Sequence, residues 1–421
     1  LEDLAAKIKD YLDILRSRSR IMAIITAELD EVRQLFAVPR RTEIVDWAGD
    51  LDDEDLIERE DMVVTVTSGG YIKRTPLAEF RAQNRGGKGL SSMATKEDDV
   101  VTTLFVANTH THLLFFTTDG MVYQLKCWRL PLAGRTAKGK AIVNILPITP
   151  GISIAALMPI DAPEEEWDGL QAFFATSDGD VRRNALSDFT NIKRNGKIAM
   201  NLPEGVTLVN VRVCDENDDV MLVTAQGRAI RFPTTEVRVF KGRDSTGVRG
   251  IRLAEGDSVV SMAVIRHFEA SPEERAAYLK QRRLMAGAPD EAESDEDEAV
   301  EAGQLSPERY AEMSAREDLI LTITSGGAGK LSSSHDYPVR GRGGQGVMAM
   351  DKAMRGGALV ASFPVTGDDQ IMLATSTGQS IRVPVEQISF RSRSAGGVRV
   401  FNTAKGEEVV SVARVVEQGE P

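Results

Sequence analysis

MVVTVTSGGYIKRT, residues 62–75, decides the fold. Met62–Thr67 and Tyr71–Thr75 are short runs rich in β-branched residues on either side of Ser68-Gly69-Gly70, the pattern of a β-hairpin. A turn this tight places one residue at positive φ, which glycine adopts without a steric penalty. The turn recurs as TTDG ending at Gly120, TSDG at Gly179, TAQG at Gly227, TSGG at Gly327 and TSTG at Gly378. In every copy an apolar strand precedes the Thr and an extended segment follows the Gly. Successive glycines stand 50, 59, 48, 100 and 51 residues apart. A period near fifty residues, with several short strands per unit, predicts a propeller-like array.

The doubled gap contains different sequence. Ser271-Pro-Glu-Glu and Ser306-Pro-Glu-Arg each read as a helix start, with Pro at the first helical position and acids in the first turn. Between them GAPDEAESDEDEAVEAG (287–303) is too acidic and too poor in apolar residues to bury a core. Residues 266–318 therefore read as an insertion, partly helical with a disordered middle, between the fourth and fifth of six units.

A second landmark follows each turn glycine at an offset of 17 to 20 residues: QNRGGKG (83–89), GRTAKGK (134–140), KRNGK (193–197), GRDSTGVRG (242–250), RGRGGQG (340–346) and RSRSAGGVR (391–399). Each unit is thus expected to carry a basic, glycine-bearing loop at one structural address. Further cations follow several turn glycines directly: Lys73 and Arg74, Arg182 and Arg183, Arg231, Lys330 and Arg382. Unit 2 departs, with Tyr123 and Gln124 there.

The chain has 421 residues, 42% of them hydrophobic, and a net charge of -12. That acidity is local. Residues 1–61 and 266–318 each carry a net -8, and the remaining repeat body is net +4. Repeated loop cations on the rim of a ring suit duplex DNA held by its backbone, where each neutralised phosphate releases counterions regardless of sequence. Glycines would let the main chain approach a phosphate. Bending a few tens of base pairs costs on the order of several kcal/mol, which several such contacts offset. Aromatics make up only 5% of the residues, which argues against base stacking on single strands. No apolar run reaches membrane length, and Leu1-Glu2-Asp3 does not open a signal peptide; a start without Met is expected of a fragment. Cys127 and Cys214, with no CxxC, read as reduced core thiols of a cytosolic protein. His110 and His112 lack a third ligand and read as core or turn residues, so no metal site is expected.

At the N-terminus a seven-residue apolar rhythm joins Leu1, Ile8, Leu15, Met22, Leu29 and Phe36, with Leu4, Tyr11, Ile25 and Val32 at the second position and Arg18 as its exception. This spacing predicts a helix seeking a partner helix, or an amphipathic helix packed on its own domain. Ser17 or Ser19 is placed to cap a second helix.

QNRGGKG resembles the Gln-Arg-Arg-Gly-Gly-Lys-Gly box of the bacterial DNA gyrase A C-terminal domain, with Asn84 in place of the first Arg. RRTEI (40–44), VANTHTH (106–112) and STGVRGIRL (245–253) extend the resemblance over nearly the whole chain outside the insert. It implies an all-β, six-bladed β-pinwheel preceded by an α-helical coiled-coil segment. The layout expected is coiled-coil end (1–38), acidic linker (39–61), blades 1–4 (62–265), insert (266–318), blades 5–6 (319–416) and a short tail (417–421). The function implied is wrapping of double-stranded DNA with positive handedness, for negative supercoiling by an ATP-driven type IIA topoisomerase. Gln83, Asn84, Arg85, Gly86, Gly87, Lys88 and Gly89 carry over as the box on which wrapping depends. In the other blades the expected DNA contacts are Lys73, Arg74, Arg135, Lys138, Lys140, Arg182, Arg183, Lys193, Arg194, Lys197, Arg231, Arg243, Arg249, Lys330, Arg340, Arg342, Arg382, Arg393 and Arg399.

The partners implied are the gyrase A N-terminal domain in cis and gyrase B in an A2B2 heterotetramer, in the cytoplasm. ATP and Mg2+ serve the whole enzyme, with no cofactor in this chain. The family's cleavage Tyr lies upstream, so no catalytic residue is expected, and Arg309-Tyr310 reads as a chance match to its Arg-Tyr dipeptide. The family's acidic tail is replaced by a short end, and the insert is expected to compete with DNA in its stead. The related readings are the topoisomerase IV A-type domain, a protein-interaction propeller and, less suited to so few aromatics, an RNA binder.

Overall fold

The computed structural model describes residues 1–38, 53–67, 69–79, 101–134, 136–149, 151–243, 245–285, 305–351, 356–376, 380–404 and 406–415. Two compact units emerge, Leu1–Leu56 and Ile57–Pro421.

The first unit holds two helices, α1 (Glu2–Arg16) and α2 (Arg18–Phe36). Ser17 separates them and caps α2, its hydroxyl accepting from the Arg20 N–H. Neither helix buries any residue, and Leu4, Ile8, Tyr11, Leu15, Met22, Leu29 and Phe36 of the heptad seam stand exposed. The expected helices form, and among the described residues nothing buries the seam.

The second unit is built from six repeats of one three-stranded antiparallel sheet. In unit 1 the hairpin Asp61–Thr67 and Tyr71–Pro76 pairs Val66 with Ile72, and the third strand, Val101–Asn108, lies on the other side of the first. Units 2 to 6 repeat this with first strands His112–Thr117, Gln171–Thr176, Asp218–Thr224, Leu319–Thr324 and Gln370–Thr375. The third strands of units 2 to 6 lie side by side in succession, and that of unit 6 (Val409–Val415) also lies beside that of unit 1.

The Thr-x-x-Gly signature is explained by its bonds. The glycine N–H donates to the Thr carbonyl at 2.9–3.0 Å in units 1 to 5, and all five glycines have φ between 75° and 88°. The Thr hydroxyl accepts from the N–H after the glycine in units 1, 4 and 5, and in units 2 and 3 donates to Asp119 or Asp178. The same Thr sits at the irregularity of the first strand's pairing with the third. The residue after the Thr joins the units: the carbonyls of Thr118, Ser177, Ala225 and Ser325 accept from Leu208, Val259, Leu359 and Val409, the start of the next unit's third strand.

The cores lie between sheets. Because successive side chains point to opposite faces of a strand, Leu114 and Phe116 pack toward unit 3 while Leu113 and Phe115 pack toward unit 1. Phe174 and Phe173, and Met221 and Val220, divide in the same way. Both faces are buried, so these strands read as unbroken apolar runs.

The insertion contains α3 (Pro272–Met285) and α4 (Pro307–Ala315), starting at the expected Ser-Pro steps. Tyr278, Leu279 and Met313 form a small core between them. His335 of unit 5 packs edge-on to Tyr278 and Phe268, its Nε2 2.9 Å from the Met313 carbonyl. Arg309 pairs with Glu274 and Glu312 while Tyr310 stacks on Tyr278, so the Arg-Tyr dipeptide is engaged within the insertion. The expected disordered middle and residues 39–52 of the acidic linker (39–61) fall outside the described residues; Asp53–Leu56 of that linker form a short 3-10 turn.

Candidate nucleic-acid interface

The basic loops are arches laid across the neighbouring unit. Those of units 2, 4, 5 and 6 enter alongside the preceding unit's second strand in parallel, by the bridges Leu132 to Arg74, Val339 to Arg231 and Phe390 to Leu331, and the strand Val239–Phe240 beside Arg183 and Asn184. The arches of units 2 to 6 each return as a two-residue antiparallel strand: Lys140–Ala141 on unit 1, Lys197–Ile198 on unit 2, Val248–Arg249 on unit 3, Val347–Met348 on unit 4 and Val398–Arg399 on unit 5. Every described arch is therefore exchanged onto the unit before it.

The arch glycines serve that exchange. A Cβ on Gly139 would stand 2.6 Å from the Ile72 carbonyl, on Gly247 2.5 Å from that of Val181, and on Gly346 2.3 Å from that of Ala229. On Gly397 it would meet the Gly329 nitrogen at 2.7 Å, and on Gly196 the Tyr123 ring at 2.6 Å. The close approach expected toward phosphate is occupied at these positions by a neighbouring strand.

The expected cations divide into two populations. Lys140, Lys193, Arg194, Arg249, Arg340, Arg342, Arg382 and Arg399 are exposed, and Arg74, Lys138, Lys197 and Arg243 half-buried. Arg342 is held by the carbonyls of Glu236 and Arg249, and Lys138 lies 3.8 Å over the Tyr71 ring. Lys197 donates to the carbonyls of Asp188 and Thr190, and burial lowers its pKa.

Lys73, Arg182, Arg183, Arg231, Lys330 and Arg393, expected on the rim, are instead buried. Lys73 donates to the Gly134 and Ala137 carbonyls, Arg182 to those of Arg243 and Ser245, and Lys330 to those of Ser392 and Ala395. Arg183 binds Gln171, and Arg393 binds the Asp336 carbonyl. Arg231 sits 2.7 Å from the buried carboxylate of Asp219, which also meets His267 at 2.8 Å. Five of these six lie on strands whose two faces are both inside, and Arg393 lies within the unit 6 arch. Sequence spacing located these positions but not their depth.

Gln83 through Gly89 and Arg135 lie outside the described residues. Arg238 and Lys241 are exposed beside the unit 4 arch and were missed, although RVFKGR (238–243) runs directly into it. Among the described residues no cluster of three or more His, Cys, Asp or Glu is placed to hold a metal, and His112 contacts Gln124 and the Trp167 ring. No described helix is long and apolar enough to cross a membrane.

Solved structures similar to this fold are the C-terminal domain of DNA topoisomerase IV (TM-score 0.62, 24% identity, covering 85% of this chain and 94% of that one) and a DNA gyrase A C-terminal domain (TM-score 0.58, 21% identity, 85% and 100%). The DNA gyrase A protein of Granulibacter bethesdensis is 47% identical over 99% of this chain, and that of Rickettsia bellii 44% over 100%. The chain spans 46% of the length of each. The family described as DNA gyrase C-terminal domain, beta-propeller, matches in six blocks, residues 61–108, 111–147, 171–215, 218–266, 318–365 and 369–415, one for each sheet. The chain belongs to the DNA gyrase A C-terminal domain family and forms its six-bladed propeller.

Proposed function

We propose that this chain binds duplex DNA along its arches and wraps it with positive handedness, as the wrapping part of a DNA gyrase that introduces negative supercoils. The observation that carries the reading is the repetition of one arch at one register, each bringing exposed cations to the same address on successive blades. Cations spaced around a curved edge neutralise successive phosphates of a bent duplex, and their contributions add. The box Gln83–Gly89 stands at the sequence offset of the other basic loops and is assigned to phosphate with them. The exposed members Lys140, Lys193, Arg194, Arg249, Arg340, Arg342, Arg382 and Arg399, with the half-buried Lys138 beside Lys140, are the side chains assigned to phosphate.

The chemistry of strand cleavage and of ATP with Mg2+ is assigned to the rest of the enzyme, with this chain non-catalytic on its own. In that assembly its partners are the gyrase A N-terminal domain in cis and gyrase B in an A2B2 heterotetramer of the cytoplasm. The exposed seam of α1 and α2 is assigned to the end of a coiled coil.

The test is topological. The chain is bound to relaxed closed-circular DNA, the DNA is nicked and resealed by a separate topoisomerase, and the linking number is read. A positive shift, lost when Arg85, Lys88, Arg340 and Arg342 are changed to Ala, is the expected result. Binding without a shift indicates a docking domain nearer to that of topoisomerase IV. An absence of binding at moderate salt would overturn the reading and favour a protein scaffold.

A further inference from the structure

We infer that Lys73, Arg182 and Lys330 are positioning residues, buried cations that hold the arch of the following unit in the shape that receives phosphate without touching phosphate themselves. The inference rests on the duplex-binding reading above.

The three residues share one address, three positions after the turn glycines Gly70, Gly179 and Gly327. All three side chains are fully buried. Each ends among main-chain carbonyls of the next unit's arch. Lys73 Nζ donates to the Gly134 oxygen at 3.2 Å and the Ala137 oxygen at 3.0 Å. Arg182 donates to the oxygens of Arg243 at 2.8 Å and Ser245 at 2.5 Å, and also to that of Gly242. Lys330 donates to Ser392 at 2.9 Å, to Ala395 at 2.6 Å and to Arg393.

The address alternates. Units 2 and 4 carry Tyr123 and Ile230 there, both buried, and these form apolar seats under Gly196 and Gly344 of the arches laid over them. The arches of units 2, 4 and 6 therefore rest on a cation, and those of units 3 and 5 rest on a hydrocarbon or aromatic surface.

A cation removed from water must recover its hydration from protein oxygens. Here two or three arch carbonyls supply it, and they are turned inward to do so. In a planar trans peptide the N–H points opposite to the C=O. The N–H groups that follow these carbonyls, those of Lys138, Arg243 and Thr246 among them, are thereby directed away from the cation. Inward carbonyls, outward N–H groups and positive charge behind the loop make a concavity suited to an anion. Removing the cation leaves the carbonyls unsatisfied, and the arch turns them toward water, taking its side-chain cations out of register.

The experiment uses the full chain. Lys73→Met replaces the ammonium by a chain of similar length, and Lys73→Arg is the conservative counterpart, because unit 3 carries Arg in the same slot. Ile230→Val serves as the control at a cation-free seat. The dependence of the affinity for linear duplex on salt is read first for the unaltered chain; no binding there overturns the duplex reading itself. Lys73→Met is expected to lower the slope of log K against log salt by about 1.8, since Lys138 and Lys140 both lose phosphate at about 0.9 each. Lys73→Arg is expected to restore it, and Ile230→Val to leave it unchanged. A fall of only about 0.9 would mean that Lys73 meets a phosphate itself, and no fall would mean that it merely fills space; either overturns the inference while the duplex reading stands. Should Lys73→Met fail to fold, the unaltered chain decides by hydrogen exchange. DNA is expected to slow the main-chain N–H groups of Lys138, Arg243 and Thr246, and exchange unaffected by DNA at all three would overturn the inference.

Discussion

Gly346→Ala separates the two roles open to an arch glycine, close approach to phosphate and close approach to a neighbouring strand. At Gly346 φ is +70°, and a Cβ would fall 2.3 Å from the Ala229 carbonyl oxygen and 2.8 Å from its carbon. An L-residue at positive φ costs about 1–2 kcal/mol. The contact is backbone, so no rotamer relieves it, and the arch must withdraw by on the order of 1 Å from the strand Arg228–Pro233. That withdrawal breaks the pairing of Val347 with Ala229 and weakens the 2.8 Å bond from Ala349 N–H to the Gly227 carbonyl, at about 1 kcal/mol each. The sum is about 3–4 kcal/mol. With an unfolding entropy on the order of 0.7 kcal/mol/K for a body of this size, Tm falls by about 5 °C. The assay is urea or thermal denaturation of the chain without DNA. Unchanged stability together with weakened DNA binding would refute the reasoning and return the glycine to the phosphate.

Asp219→Ala is expected to cost about 3–5 kcal/mol, since it strands the Arg231 guanidinium without its carboxylate in a buried site; Asp219→Ala in denaturant titration with less than 1 kcal/mol lost counts against a buried pair. The His335 pKa is lowered, chiefly by burial, so its neutral form is the one that packs against Tyr278 and the Met313 carbonyl. A depressed folded pKa gives stability that is present above the ordinary histidine value of about 6.5 and lost as pH falls through it. Hydrogen exchange in α3 and α4 is expected to accelerate between about pH 7.5 and 5.5, and His335→Gln to flatten that dependence. Burial pushes the Cys127 thiol up to about 11 and Cys214 up to about 12. Alkylation of the native chain at pH 8 is expected to be about 200-fold slower at Cys127 than in urea, from thiolate fraction alone; rapid labelling would contradict its placement in the core.

Much of the repeat was legible because its signals are local. Thr-x-x-Gly turns are closed by bonds within five residues, so all five described copies fold as the spacing implies. The Ser-Pro helix starts of the insertion and the Ser17 cap are legible for the same reason. The candidate site was legible as a set of addresses and misread in two particulars. The arch glycines were matched to phosphate, yet Gly139, Gly247 and Gly346 lie against strands 66 to 117 positions away in the chain. Lys73, Arg182 and Lys330 looked like rim cations because Lys and Arg are usually exposed, whereas their carbonyl partners come from the following unit.

The sequence by itself determined the unit, its number and the position of every described arch, since hairpins, turn glycines and charge are written in contiguous residues. Only the tertiary structure decided which cations face outward. The two faces of each strand pack against different neighbours, and the arch of one unit closes over the strand of another. A charge is buried or exposed by what a distant segment brings to it, and no local pattern records that.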